Sequence, residues 1–316
     1  MTGERSAPLP IRNGVRPARL ALPEGSWPLL IDYLVLRFHP IQRAEIIARM
    51  MRGEIVNEVG NPLGPDTPFS RHMSVFYYRT VESETRIPFE ETILHQDEEL
   101  VVADKPHFLP VTPTGRYLQE TLLVRLIRRL DLPHLTPIHR LDRDTAGVIL
   151  FSVNPRNRRI YQDLFRRRAV LKTYEAIAPY RSDLSLPVLR KSRLVTGTPF
   201  MRMREAAHES PDDVNAQTHI ELLEHDSASG LARYGLRPIT GKKHQLRVHM
   251  AALGIPILND PLYPTAMPPS SDSAADYSAP LQLLASTMAF TDPVIGTQRI
   301  FRSLRQLRWP AQPTRG

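Results

Sequence analysis

The stretch PIHRLDRDTAGVILF, residues 137–151, sets two arginines and two aspartates between a proline and an unbroken apolar run. Its second half, GVILFS, is short and rich in branched aliphatic residues, so it reads as a buried strand. The charged half therefore sits at the mouth of that strand. Asp142 and Asp144 could each be a turn or capping aspartate taken alone, so the stretch has to be weighed with the rest of the chain.

The chain has 316 residues, enough for one large domain or two modest ones with a sizeable core. With 41% hydrophobic and 23% charged residues it reads as globular. No apolar run approaches the roughly 18 residues of a membrane span, so no membrane partner is expected. The first twenty residues lack the apolar core of a secretory signal, and the expected location is the cytoplasm. Zero cysteines exclude disulfides and thiolate metal sites. A net charge of +8 favours a polyanionic partner such as nucleic acid. Lysine occurs only at Lys105, Lys172, Lys191, Lys242 and Lys243, so arginine supplies the other 36 of 41 basic residues. Arginine forks phosphates and base edges in a way lysine cannot, although a GC-rich genome would give the same bias.

Composition shifts divide the chain into four parts. Residues 1–26, rich in Pro, Arg and Gly, read as a mobile arm. Residues 27–80 read as a small module: helices at LLIDYLVLRF and AEIIARMM, then strands at GEIVNEVG and SVFYYR, with Tyr77 and Tyr78 as strand packing. Residues 81–90 read as a linker, and residues 91–316 as the main domain. That domain opens with a hairpin signal in ETILHQDEELVVADKP. Leu118, Leu122, Leu126 and Leu130 form a helical stripe. Asn154 is expected to cap a helix with Pro155 in its first position. Ile160, Tyr161, Leu164 and Phe165 would be its buried face, and its arginines either a solvated face or a phosphate contact. TYEAIA, THIELLE, ARYGLRPI and QRIFRSL suggest strands, and HQLRVHMAALG a helix ending on Gly254. Pro264 to Pro280 reads as a mobile loop. Strands and helices without regular alternation predict an α+β fold.

Several chemistries lose support. His244 and His249 are five apart, which is not one helical face, and no acidic partner completes a zinc site. There is no phosphate-cradling glycine loop and no nucleophile elbow. What remains is HRLDRDTAG together with KTYEA, which holds Lys172 and Tyr174, and TGKKHQLRVHMAALGIPILND, which holds Arg247. A carboxylate, a fixed cation and an aromatic ring could position, charge-stabilise and stack on a flat heterocycle.

These three segments resemble, in order, the motifs of the RluA-type pseudouridine synthases. HRLDRDTAG is similar to the family's HRLDxxTSG, and the likeness runs from about Ile93 to Leu307. ADKP and LQLLASTMAFTDPVIG resemble smaller family segments. The resemblance implies a mixed, largely antiparallel sheet in two halves around a basic catalytic cleft. It implies isomerisation of uridine to pseudouridine in tRNA or large-subunit rRNA, by a monomer without cofactor, metal or obligate protein partner. Asp142 would be the essential carboxylate and Arg247 the partner that keeps it ionised. Tyr174 would lie against the base, and Leu246 would be part of the apolar wall. Arg140 would enter the space left by a flipped base, at an unstacking cost of a few kcal/mol. His139, Lys172 and Lys242 complete the expected substrate-binding set, with His139 weighted toward a turn or supporting role. Residues 27–80 are loosely similar to the alpha-L RNA-binding domain. Ala146 stands where the family commonly has serine, Lys242 where it has arginine, and Asn259 where it has glycine. An idle RNA-binding or ribosome-assembly protein on the same fold is the alternative, and a DNA-acting base flipper a third reading.

Overall fold

The computed structural model describes residues 8–81, 83–198, 202–207, 213–265 and 276–309. Internal contacts group the chain into two units. One holds the described residues up to Glu84 with Pro113–Gln119 and Ile127–Pro133; the other holds Thr85–Thr112, Glu120–Leu126 and the described residues from His134 onward. Two short segments of the expected main domain thus cluster with the first unit. The Glu84 carboxylate accepts the backbone N–H groups of Leu118 (2.8 Å) and Gln119 (2.9 Å), which ties one of them down.

The first unit has strand β1 (Ala18–Ala21), helices α1 (Leu30–Arg37) and α2 (Arg43–Met51), then β2 (Ile55–Val56) and β3 (Ser74–Tyr77). The strands form an antiparallel sheet in the order β1-β3-β2. Leu30, Ile31 and Leu34 of α1 and Ile46 and Met50 of α2 pack with Ile55 and Val75. Tyr77 packs on this cluster as expected. The mobile arm needs correction. Residues 1–7 lie outside the described residues, but Ala18–Ala21 pair with Ser74–Tyr77 and Leu22 is buried. A four-residue edge strand between prolines is too short to show a period of two, so the sequence hides it.

The second unit carries a single large sheet. The hairpin β4 (Thr92–Gln96) and β5 (Leu100–Lys105) forms where expected; helix α3 (Leu122–Leu130), whose residues from Ile127 group with the first unit, short β6 (Thr136–Pro137) and β7 (Ala146–Ser152) follow. Helix α4 (Arg158–Arg166) leads to β8 (Leu171–Pro179), β9 (Val188–Thr196), β10 (Met203–Ala206), β11 (Ala216–Asp226) and β12 (Leu231–Pro238). Helix α5 (Gln245–Ala252), β13 (Leu283–Thr291) and β14 (Gln298–Arg302) complete it. The order is β10-β9-β11-β12-β8-β13-β7-β5-β4, with β14 on β13 and β6 on β7. Every pairing is antiparallel except β7 with β13, which meet over two residue pairs, Leu284 with Ala146 and Ala285 with Gly147. The mostly antiparallel α+β sheet is thus two halves joined at a narrow parallel seam. Gly147 makes that seam: its φ is +113°, and a Cβ there would lie 2.2 Å from the Ala285 carbonyl oxygen. Ala146 is fully buried against Ile177, Leu284 and Leu307, an apolar setting that does not call for a hydroxyl.

Two expectations about α4 are corrected. The helix begins at Arg158, not Pro155. Asn154 instead forms a local turn, its Oδ1 accepting the Arg156 N–H (3.0 Å), while its amide donates to Glu99 (3.1 Å). The buried anchor is Tyr161, whose hydroxyl donates to the Asp292 carboxylate, and this phase leaves Ile160 exposed. Strand β9 was not foreseen because Arg190, Lys191 and Arg193 interrupt its apolar pattern. The expected loop 264–280 falls mostly outside the described residues.

Candidate active site

The RLD segment runs directly into β7 at the seam. Asp142 is at a turn in which its carbonyl accepts the Thr145 N–H (3.2 Å), and its side chain is 30% exposed. Beneath the turn lies Lys105, fully buried at the end of β5. Its ammonium donates to the carbonyls of Pro106 (2.9 Å), Leu109 (2.9 Å) and Arg143 (2.8 Å). Burial pushes the Lys105 pKa down to about 7, opposed by the charges of Asp144 and Asp142. Three carbonyls match the three donors of the charged form, which favours keeping the proton. The neighbouring His107 donates from Nδ1 to the Asp144 carbonyl (2.7 Å), and burial lowers its pKa to about 4. The RLD turn is therefore held from below by two side chains that fix its backbone.

Arg247 comes from α5. The start of that helix is fixed by Gln245, which accepts from Thr240 (2.7 Å) and the Lys242 N–H (3.1 Å) and donates to Gln217 and Thr218. The guanidinium, 2% exposed, forks onto Asp260 through Nε (2.8 Å) and Nη2 (2.6 Å). Its remaining Nη1 reaches Asp142 Oδ2 at 3.3 Å. Burial alone would lower the Arg247 pKa, but the hydrogen bonds and charge of Asp260, with the charge of Asp142, raise it further. Asp260 is itself held by the N–H groups of Leu262 (2.8 Å) and Tyr263 (3.1 Å). The result is a permanent cation locked on one side and offered to Asp142 on the other.

Tyr174, on β8, packs on the cluster that contains Leu246. Burial, then the charge of Asp142, pushes its phenol pKa well up, so the ring faces the site as a neutral phenol. A carboxylate, a clamped guanidinium and an aromatic wall are thus brought together from β7's approach, α5 and β8.

The family described as RNA pseudouridylate synthase matches residues 99–252. The dual-specificity RNA pseudouridine synthase RluA of Escherichia coli (strain K12) is 34% identical over 218 residues, 67% of this chain and 91% of that protein. The chain belongs to the RluA-type RNA pseudouridine synthases. An uncharacterized RNA pseudouridine synthase of Synechocystis is 28% identical over 235 residues, 74% of this chain and 79% of the relative. A solved structure, human RNA pseudouridylate synthase domain containing 1, aligns with a TM-score of 0.54 at 22% identity. It covers 70% of this chain and 86% of that one, and supports the fold. The protein is accordingly an isomerase that acts on RNA.

The remaining expected residues of the synthase divide. Leu246 is 7% exposed and belongs to the cluster on which Tyr174 packs. Lys172 is half-buried two residues before Tyr174 on the same strand, and burial lowers its pKa. Arg140 and Lys242 are exposed. His139 needs correction as a substrate ligand. Its Nε2 accepts the Leu150 N–H (3.2 Å), its ring stacks on Phe165 (4.6 Å between centroids), and burial lowers its pKa to about 3. It supports the turn as a neutral packing residue. Asn259 adopts a φ of +61°, the left-handed geometry expected of a glycine replacement. Sequence reasoning gave no role to Asp260, Lys105 or His107. The first two stand in the ILND and ADKP segments already singled out, but nothing in their spacing says which charge they meet. Among the described residues no His/Asp/Glu group could hold a metal ion, and no helix is long and apolar enough to cross a membrane.

Proposed function

We propose that Asp142 carries the isomerisation of a uridine flipped out of a folded tRNA or large-subunit rRNA. The observation that carries this reading is the contact of Asp142 with a guanidinium that Asp260 already clamps. Such a cation stabilises a carboxylate in a site that a flipped base would empty of water, and costs no rearrangement when the reaction begins. In the overall reaction the bond from N1 to the ribose C1′ breaks and a bond from C5 to C1′ forms. N1 gains a proton and the C5 proton leaves to water, so the product is an isomer. Tyr174 and Leu246 line the base, Tyr174 as a neutral hydrogen-bonding phenol, and Arg140 occupies the vacated stack. Lys172 and Lys242 contribute charge toward the RNA. The module at 27–80 adds RNA affinity, a reading supported by its helix, helix, strand, strand order. A cytoplasmic monomer needing no cofactor fits the composition.

The test is tritium release from RNA labelled at uridine C5, with tRNA and rRNA supplied separately. Wild-type protein is expected to release tritium from one of them, and Asp142→Asn to release none while binding that RNA as wild type does. Equal release by both proteins would remove Asp142 from the chemistry. No release by the wild type from either RNA would instead favour the idle binding protein.

A further inference from the structure

His244 does not enter the reading above, yet it is the second side chain to face Asp142. It stands immediately before α5 with a φ of +54°, a left-handed backbone uncommon for residues other than glycine and tolerated best by Asn, Asp and His. Its ring is 6% exposed. Nδ1 lies 3.0 Å from the Tyr263 hydroxyl and Nε2 lies 3.9 Å from Asp142 Oδ2.

The tautomer follows from the partners. The Tyr263 hydroxyl accepts the Met203 N–H at 2.7 Å, and among the described residues His244 Nδ1 is the acceptor in reach of its one proton. A buried hydroxyl keeps a partner, so Nδ1 accepts and the imidazole proton sits on Nε2, toward Asp142. Burial lowers the His244 pKa, as do Arg247 and Lys243, against the opposing charges of Asp142 and Asp260. The ring is thus a neutral donor. Arg247 Nη1 also meets Oδ2, whereas no described residue hydrogen-bonds Oδ1.

We propose that His244, oriented by Tyr263, is a positioning residue that joins Arg247 in holding Oδ2 of Asp142 and so presents Oδ1 to the substrate. The separation of 3.9 Å closes to a hydrogen bond when RNA expels water, as catalytic contacts commonly tighten in the complex. This inference rests on Asp142 as the reacting carboxylate.

Two measurements test it, the first without any activity. Nitrogen-15 shifts of the histidine rings in the folded protein, with His244→Gln used to assign the signal, should show His244 protonated on Nε2; a proton on Nδ1 would overturn the proposal. The second compares substitutions under the tritium assay. His244→Asn suits the left-handed backbone and can still accept from Tyr263, but is too short to reach Asp142. It should lower kcat about tenfold with KM within twofold. His244→Gln, which restores a donor at the Nε2 position, should recover most of that loss. Tyr263→Phe should lower kcat in the wild-type background and have no further effect in His244→Asn. Wild-type kcat in His244→Asn, equal losses in Asn and Gln, or multiplying effects of the two sites would overturn it. A wild type without turnover would defeat the proposed function, and the ring shifts would still judge the geometry.

Discussion

At the scale of single residues the site depends on Asp260, whose buried carboxylate holds Arg247. It is 0% exposed, paired with an Arg247 that is 2% exposed. Removing one member of a buried pair leaves an uncompensated charge, a loss of about 3–5 kcal/mol. Asp260→Ala is therefore expected to lower the free energy of unfolding by roughly that amount in urea titration. It should also depress tritium release in the fraction that remains folded, because Arg247 loses the fork that aims Nη1 at Asp142. Unchanged stability would mean that Arg247 finds another partner. Asp142 and Arg247 are 105 positions apart in the chain.

At the scale of elements, α4 and the turn after it carry a basic face. Arg159, Arg167 and Arg168 are exposed, and Phe165 between them stacks on His139, next to Arg140 of the RLD turn. The helix that carries the face thus packs beside the RLD turn, a position suited to phosphates flanking the target uridine. Each phosphate contact contributes about 0.7–0.9 to the slope of log affinity against log salt. Replacing all three arginines with alanine is expected to reduce that slope by about 2–3 and raise KM, with kcat at saturating RNA retained. An unchanged slope in filter binding across a salt series would assign the face to solvent.

At the scale of the whole molecule, three histidines besides His244 are kept neutral by the core. Burial lowers His139 to about 3 and His107 and His249 to about 4, from 6.5. His249 is hydrogen-bonded on both nitrogens, to Thr218 and Ser192, each at 2.9 Å. Below pH 6.5 the unfolded chain takes up protons that the folded chain refuses, so stability is complete above that value and falls with pH toward 4. Each group contributes a slope on the order of 1.4 kcal/mol per pH unit. Thermal unfolding is expected to shift steeply downward between pH 6 and pH 4, and His249→Gln should flatten the shift. A midpoint constant across this range would mean that the rings are protonated in the fold.

The α+β class, the main strands, the helix that carries Arg247 and the trio Asp142, Tyr174 and Arg247 were legible because each is written locally. Buried strands appear as apolar runs, helices as stripes, and a motif of nine residues keeps its own turn. What the sequence did not disclose depends on charges from distant segments. Lys105 reads as the end of a strand until Arg143 is folded over it, His139 as a ligand until Phe165 covers its ring. His244 reads as a failed zinc ligand until Tyr263 sets its tautomer and Asp142 comes within 3.9 Å. The sequence by itself determined most of the elements and which residues are candidates for the chemistry, since propensity and periodicity act over a few neighbours. Only the tertiary structure decided which oxygen of Asp142 is held, because hydrogen-bond direction and burial exist once the two halves of the sheet have met at Gly147.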